Sequence, residues 1–281
     1  MKKKRTRFII IWIIVTLALL VGSFLAPSGS GEETVQVMMR DAVLHETNQI
    51  SLFGIMTVNP GLISAITVTV ILLVAAACIR IFVIPKFKYV PGKFQMMLEQ
   101  VVGMFDNLAK TNSPWRNGFL GAYVFAAGAF IFVGTLFELF GLQAITTEGH
   151  SVTLPAPLSD VNGAIMLGVL SYCVIVSGAI AGNGIRGIGK ALKEVSLLIS
   201  ISFRLFGALL SGLLVTELVY YYISLSFVLP VIVGILFTLL HALIQSYVLT
   251  MLTALFYGEM SEPTPKKKKA RHEKVAKASE I

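Results

Sequence analysis

The chain has 281 residues, of which 56% are hydrophobic and 14% charged, and a net charge of +8. Soluble domains carry about 25% charged residues, so this composition, with its apolar runs of about 20 residues, excludes a water-soluble fold and indicates a polytopic membrane protein. The positive charge does not mark a nucleic-acid binder. Five basic residues sit in Met1–Arg7 and seven in Lys266–Lys277, each cluster beside a hydrophobic segment and with no interleaved aromatics.

Six membrane spans are expected in chain order, giving an all-α fold: Phe8–Ala26, Leu62–Val83, Phe119–Leu142 with Glu138 inside it, Ala164–Ala181, Val195–Ile223 and Val228–Phe256. With the N-terminus inside, the segments expected to face the cytoplasm hold 21 of the 23 Lys and Arg residues. The outer segments hold Arg40 and the acids Glu32, Glu33, Asp41, Glu46, Glu148 and Asp160. This asymmetry obeys the positive-inside rule at every crossing and puts both termini in the cytoplasm. The first run, followed by "FLAPSGSG", also has the look of a signal peptide; its length favours a retained anchor. The expected organisation is an anchor or signal-like helix at 1–26, an extracytoplasmic segment at 27–60, a membrane domain at 61–260 and a basic cytoplasmic tail at 261–281.

The two cysteines, Cys78 and Cys173, both lie in apolar runs and have no metal-site or disulfide spacing. They are expected to be small core residues. Between the second and third spans, Phe94, Met97, Leu98, Val101, Val102, Phe105 and Leu108 recur at helical spacing after Pro91-Gly92. That predicts an amphipathic helix along the cytoplasmic interface or against neighbouring helices. The glycine-rich "GNGIRGIGK" at Gly182–Lys190 lacks the spacing of a phosphate loop and is read as a basic cytoplasmic loop.

The fifth span raises the central question. Between Glu194 and Glu259 its Arg204 and Glu217 are the only formally charged residues. An arginine at the bilayer centre costs at least about 2.5–3.5 kcal/mol on insertion scales, and something must offset it. Ser200, Gly207, Ala208 and Ser211 share its helical face, a flat strip that another helix could approach closely. Glu217 points about 140° away and lies about 19–20 Å along the axis, so the two do not pair. On the sixth span, His241 and Gln245 are four apart and share a face. Antiparallel packing would bring Gln245 level with Arg204, its amide oxygen accepting a guanidinium proton, with His241 one turn outward. Glu138, Asp160 and Asn162 add polar groups toward the same outer side, which suggests an aqueous inlet ending at the arginine.

At these residues the sequence resembles subunit a of the F-type ATP synthase, the stator half of its membrane ion channel. "FRLFGALLSG" is similar to the family's arginine motif, and "ALIQSYVLTMLTALFYGE" to its last-helix signature. "PLSDVN", "YVPGKFQMMLEQVVGMFDNLAK" and "ISLFGIMTVNPGLIS" also fit, in the right order. The resemblance implies long, tilted fifth and sixth helices packed as an antiparallel hairpin against a c-ring. It implies that Arg204 faces the ring across Ser200, Gly207, Ala208 and Ser211, that Gln245 is its neighbour, and that two offset half-channels open to opposite sides. It further implies a multi-pass place in a bacterial inner or plasma membrane, b subunits of a peripheral stalk as partners, no cofactor, no bound nucleotide, and no catalysis by this chain alone. The ion is H⁺ or Na⁺. The chain departs from the family pattern at Ala208, Leu213 and Thr238, where the family often has asparagine, a carboxylate and a titratable group. Glu217 and His241 then stand as displaced substitutes, and Glu194 serves the cytoplasmic outlet. The competing classes are a solute permease, whose Arg204 would bind an anionic substrate, and an intramembrane enzyme. Neither internal inverted repeats nor paired catalytic acids are seen in the sequence.

Overall fold

The computed structural model describes residues 12–14, 17, 21, 50–52, 56–145, 151–221 and 229–263. The expected first span is thus described only at five positions, and most of segment 27–60 and the tail after Pro263 lie outside the described residues. Among those described, five helices are long and apolar enough to cross a membrane, spanning Pro60–Lys86, Leu120–Phe140, Val161–Asn183, Val195–Gly212 and Gly234–Ser261. The all-α membrane fold read from the sequence is what the chain adopts.

The first of these, α1 (Pro60–Cys78), starts where physical chemistry asks a helix to start. The Asn59 side chain accepts a hydrogen bond from the Gly61 N–H at 2.9 Å, and Pro60 occupies the first turn, where its missing N–H costs nothing. A π-helical turn at Ile79–Val83 and a 3₁₀ turn at Ile84–Lys86, carrying Pro85, bring it to an end. The amphipathic α2 (Lys93–Asn112) packs on α3 (Leu120–Phe137), where Phe105 meets Phe125 edge to face with ring centroids 5.7 Å apart. Glu138 lies inside the third span, as expected, in the 3₁₀ turn Glu138–Phe140 that ends it and that Gly141 closes at φ +57°.

Two short antiparallel ribbons were not anticipated from the sequence. The first pairs β1 (Ile50–Leu52) with β2 (Met56–Val58), and the second pairs β3 (Gln143–Ile145) with β4 (Ser151–Thr153). Three-residue strands leave too little alternation to detect. Ile50 and Leu154 pack with Val68 and Phe137 in a small cluster that ties both ribbons to one end of the bundle.

Asp160 caps α4 (Val161–Asn183), its Oδ1 accepting from the Asn162 N–H at 3.3 Å. The stretch expected as a basic loop then forms a second helix, α5 (Ile185–Leu192). Gly184, at φ +62°, allows the chain to reverse there, and Ile185, Ile188 and Leu192 recur at helical spacing. The two remaining helices are α6 (Val195–Tyr221) and α7 (Leu229–Ser261). α7 packs against α2, α3, α4 and α6, while α6 packs against α4 and α7.

Inside a bilayer, helices associate through close packing rather than water exclusion, so small residues decide who touches whom. Ser246 on α7 donates to the Gly128 carbonyl on α3 at 2.9 Å. The Tyr123 and Ser171 hydroxyls meet at 2.8 Å across α3 and α4. At the end rich in Lys and Arg, Asn183 donates to the carbonyls of Met260 and Glu262, and Lys190 donates to that of Glu259. Both cysteines are exposed, which corrects their expected place in the core. An apolar run does not distinguish a protein-facing from a lipid-facing side, and a thiol is apolar enough for either.

Candidate functional site

Arg204 is the tenth residue of α6. The helix is seated by its opposite face: Ile201, Ser202, Leu205 and Leu209 are buried, and Ser202 donates to the Leu198 carbonyl at 2.9 Å. That seating leaves Ser200, Arg204, Gly207 and Ser211 exposed and Ala208 half-buried. The strip foreseen from helical spacing is therefore a real surface of the chain. A side chain added at Gly207 would meet no atom within 4 Å. Ser211 turns its hydroxyl back to the Ala208 carbonyl at 2.7 Å. Beside the arginine, Phe203 is 68% exposed. Among the described residues Arg204 has neither an ion pair nor a hydrogen-bond partner. A cation within a membrane-spanning segment is thus left without a counter-charge among the described residues.

α7 contributes two of the anticipated residues in different states. Gln245 is 6% exposed and its Oε1 has no hydrogen-bond partner. The guanidinium hydrogen bond expected for that oxygen is therefore not formed in this structure. His241 is half-buried, its ring 5.9 Å from that of Phe237. It lies against α6 at Gly212, where an added Cβ would sit 3.8 Å from Nδ1. Glu217 belongs to α6, and its side chain lies outside the described residues.

The other expected groups divide between the two ends of the bundle. Half-buried Glu138 and Asp160 lie at the end carrying the ribbons. Asp160 and Asn162 line a cavity of about 710 Å³ walled by α1, α3 and α4. Arg204, His241 and Gln245 do not line that cavity, so it does not join them into one inlet. Half-buried Glu194 lies at the opposite end, in the bend between α5 and α6, where its carbonyl accepts from the Leu197 N–H at 2.9 Å. The Tyr172 hydroxyl donates to the nearby Ala191 carbonyl.

Sequence reasoning missed the contacts that set this geometry, chiefly Gly168 against Ser202 and Gly212 against His241. Small residues at these positions were the available signal, but one helix alone does not reveal its neighbour.

Comparison with known proteins gives a consistent result. Residues 62–258 match the ATP synthase A chain family. The ATP synthase subunit a of Cereibacter sphaeroides is 26% identical over 179 residues, which cover 59% of this chain and 69% of that protein. That of Histophilus somni is 25% identical over 201 residues, covering 59% and 76%. A "sodium ion specific" subunit a from Propionigenium modestum is 23% identical over 216 residues, covering 68% and 73%.

Proposed function

The chain belongs to the ATP synthase A chain family, and we propose that, as subunit a of the membrane sector of an F-type ATP synthase, it uses Arg204 to drive ion exchange on a ring of c subunits. The observation that carries this reading is the state of Arg204: exposed on a flat strip of a membrane-spanning helix and unpaired among the described residues. A fixed cation favours the ionised form of a passing carboxylate, and the attraction strengthens where the dielectric is low. The guanidinium stays protonated throughout, so it can attract but never carry the ion. Each rotor carboxylate that pairs with it offsets the insertion cost of about 2.5–3.5 kcal/mol.

In this reading α6 and α7 form an antiparallel hairpin against the ring, with Ser200, Gly207, Ala208 and Ser211 allowing close approach. Gln245, from the neighbouring helix, orients the guanidinium once the ring is in place. Its unpartnered buried oxygen supports that role. Glu217 and His241 serve the outer half-channel with Glu138, Asp160 and Asn162, and Glu194 serves the cytoplasmic one. The chain itself catalyses nothing. Its partners are the c-ring and the b subunits of the peripheral stalk, in a cell membrane with both termini cytoplasmic, and the ion is H⁺ or Na⁺.

The test is ion-driven ATP synthesis in vesicles holding the assembled complex with Arg204→Ala. The reading expects synthesis to fall to background, and synthesis near the wild-type rate would overturn it.

A further inference from the structure

A cavity of about 920 Å³ opens sideways between α2, α3 and α7. Along α3 and α7 its walls are apolar, with Phe125, Ala129 and Phe132 facing Leu243 and Met251. Ser246 also lines it, but its hydroxyl is already committed to the Gly128 carbonyl. The remaining polar lining gathers at one end, on α2, as Asn107, Thr111 and Asn112. Met104 and Tyr247, at 58% and 54% exposure, form an open rim. Since α3 and α7 have the length and composition of membrane spans, that rim faces hydrocarbon.

The polar end of the groove adjoins the turn after α2. There Ser113 donates to the Arg116 carbonyl at 2.8 Å, closing the turn that carries Arg116 directly after Asn112. Trp115 is 67% exposed and Arg116 is also exposed, and no hydrogen bond or ion pair engages its guanidinium among the described residues. An exposed tryptophan next to an arginine is the signature of headgroup depth. The groove is thus apolar along α3 and α7, with the polar side chains of Asn107, Thr111 and Asn112 at its basic end and the unpaired Arg116 in the turn that adjoins that end.

We propose that this groove seats the acyl chains of one anionic glycerophospholipid from the leaflet at the basic end, with Arg116 meeting its phosphate. A transmembrane helix of another subunit is the poorer fit, because polar lining at one end alone matches an amphiphile. The proposal does not depend on the role of Arg204.

Native mass spectrometry of the complete complex, washed in detergent and then supplied with phosphatidylglycerol or phosphatidylcholine, tests the site. The wild type retains one more lipid per copy of this chain than Ala129→Trp, which fills the groove. Met104→Trp, at the exposed rim, loses the same lipid without loading the interior. Arg116→Ala lowers the preference for phosphatidylglycerol over phosphatidylcholine by about fivefold. Equal lipid retention in the wild type and both tryptophan variants overturns the site, and an unchanged preference in Arg116→Ala overturns the headgroup assignment. Tyr247→Cys labelled with a photoreactive maleimide, whose illumination cross-links it to a helix of another subunit, overturns the lipid in favour of that partner. A variant that loses the lipid while keeping ATP synthesis separates this site from the proposed ion path.

Discussion

Gly168 on α4 and Ser202 on α6 approach so closely that a Cβ on the glycine would overlap the serine Oγ. Ser202 stands two residues before Arg204, about 200° away around the helix. This close approach between α4 and α6 therefore sets which way the arginine faces. Filling it with Gly168→Val costs about 1–3 kcal/mol through overpacking, read as a lowered unfolding midpoint of the purified chain in detergent. Unchanged stability would mean that α6 is not seated through this contact.

Gly207→Val makes the opposite prediction. Nothing lies within 4 Å of the added side chain, so stability stays within about 0.5 kcal/mol of wild type. If the strip faces the c-ring, ATP synthesis falls sharply in that same stable variant. A fully active Gly207→Val complex would remove the ring from this face.

Gln245→Met removes a buried acceptor that has no partner. An unsatisfied buried polar group costs about 1–3 kcal/mol, so the chain alone becomes more stable or stays unchanged. Coupled ATP synthesis drops, because the guanidinium loses its orienting neighbour. Destabilisation beyond about 1 kcal/mol would show that the amide has a structural partner after all.

His241 and Gly212 are tested as a pair. Gly212→Ala places its Cβ in ordinary contact with the imidazole, so activity persists. Gly212→Leu displaces the ring and reduces ion-driven synthesis about as much as His241→Ala does. Wild-type rates in both of the disruptive variants would take His241 off the ion path.

Asp160 has a visible structural job as the cap of α4. Asp160→Ala therefore costs about 0.5–2 kcal/mol, while Asp160→Asn keeps the acceptor and the stability. Ion-driven synthesis measured in Asp160→Asn isolates the carboxylate's contribution: a fall assigns it to the half-channel, and an unchanged rate leaves it a cap.

Much of this arrangement is written in the chain. Apolar runs located the five long apolar helices, each end to within about five residues, because hydrocarbon thickness dictates their length. The 100° periodicity of a helix was enough to group Ser200, Arg204, Gly207, Ala208 and Ser211 on one face, of which Ala208 is half-buried and the others are exposed. Hydropathy could not tell which apolar sides meet protein and which meet lipid, since both are equally oily. That is why Cys78 and Cys173 proved exposed and Gln245 buried. It is also why "GNGIRGIGK" hid a helix whose start depends on the reversal at Gly184.

The sequence by itself determined a membrane protein with one arginine on a strip of small residues. Tertiary packing decided that this strip looks outward and that Gln245 is sealed inside. The physical reason is that rotation of each helix about its axis is set by the neighbours it interlocks with, here Gly168 of α4 with Ser202 of α6.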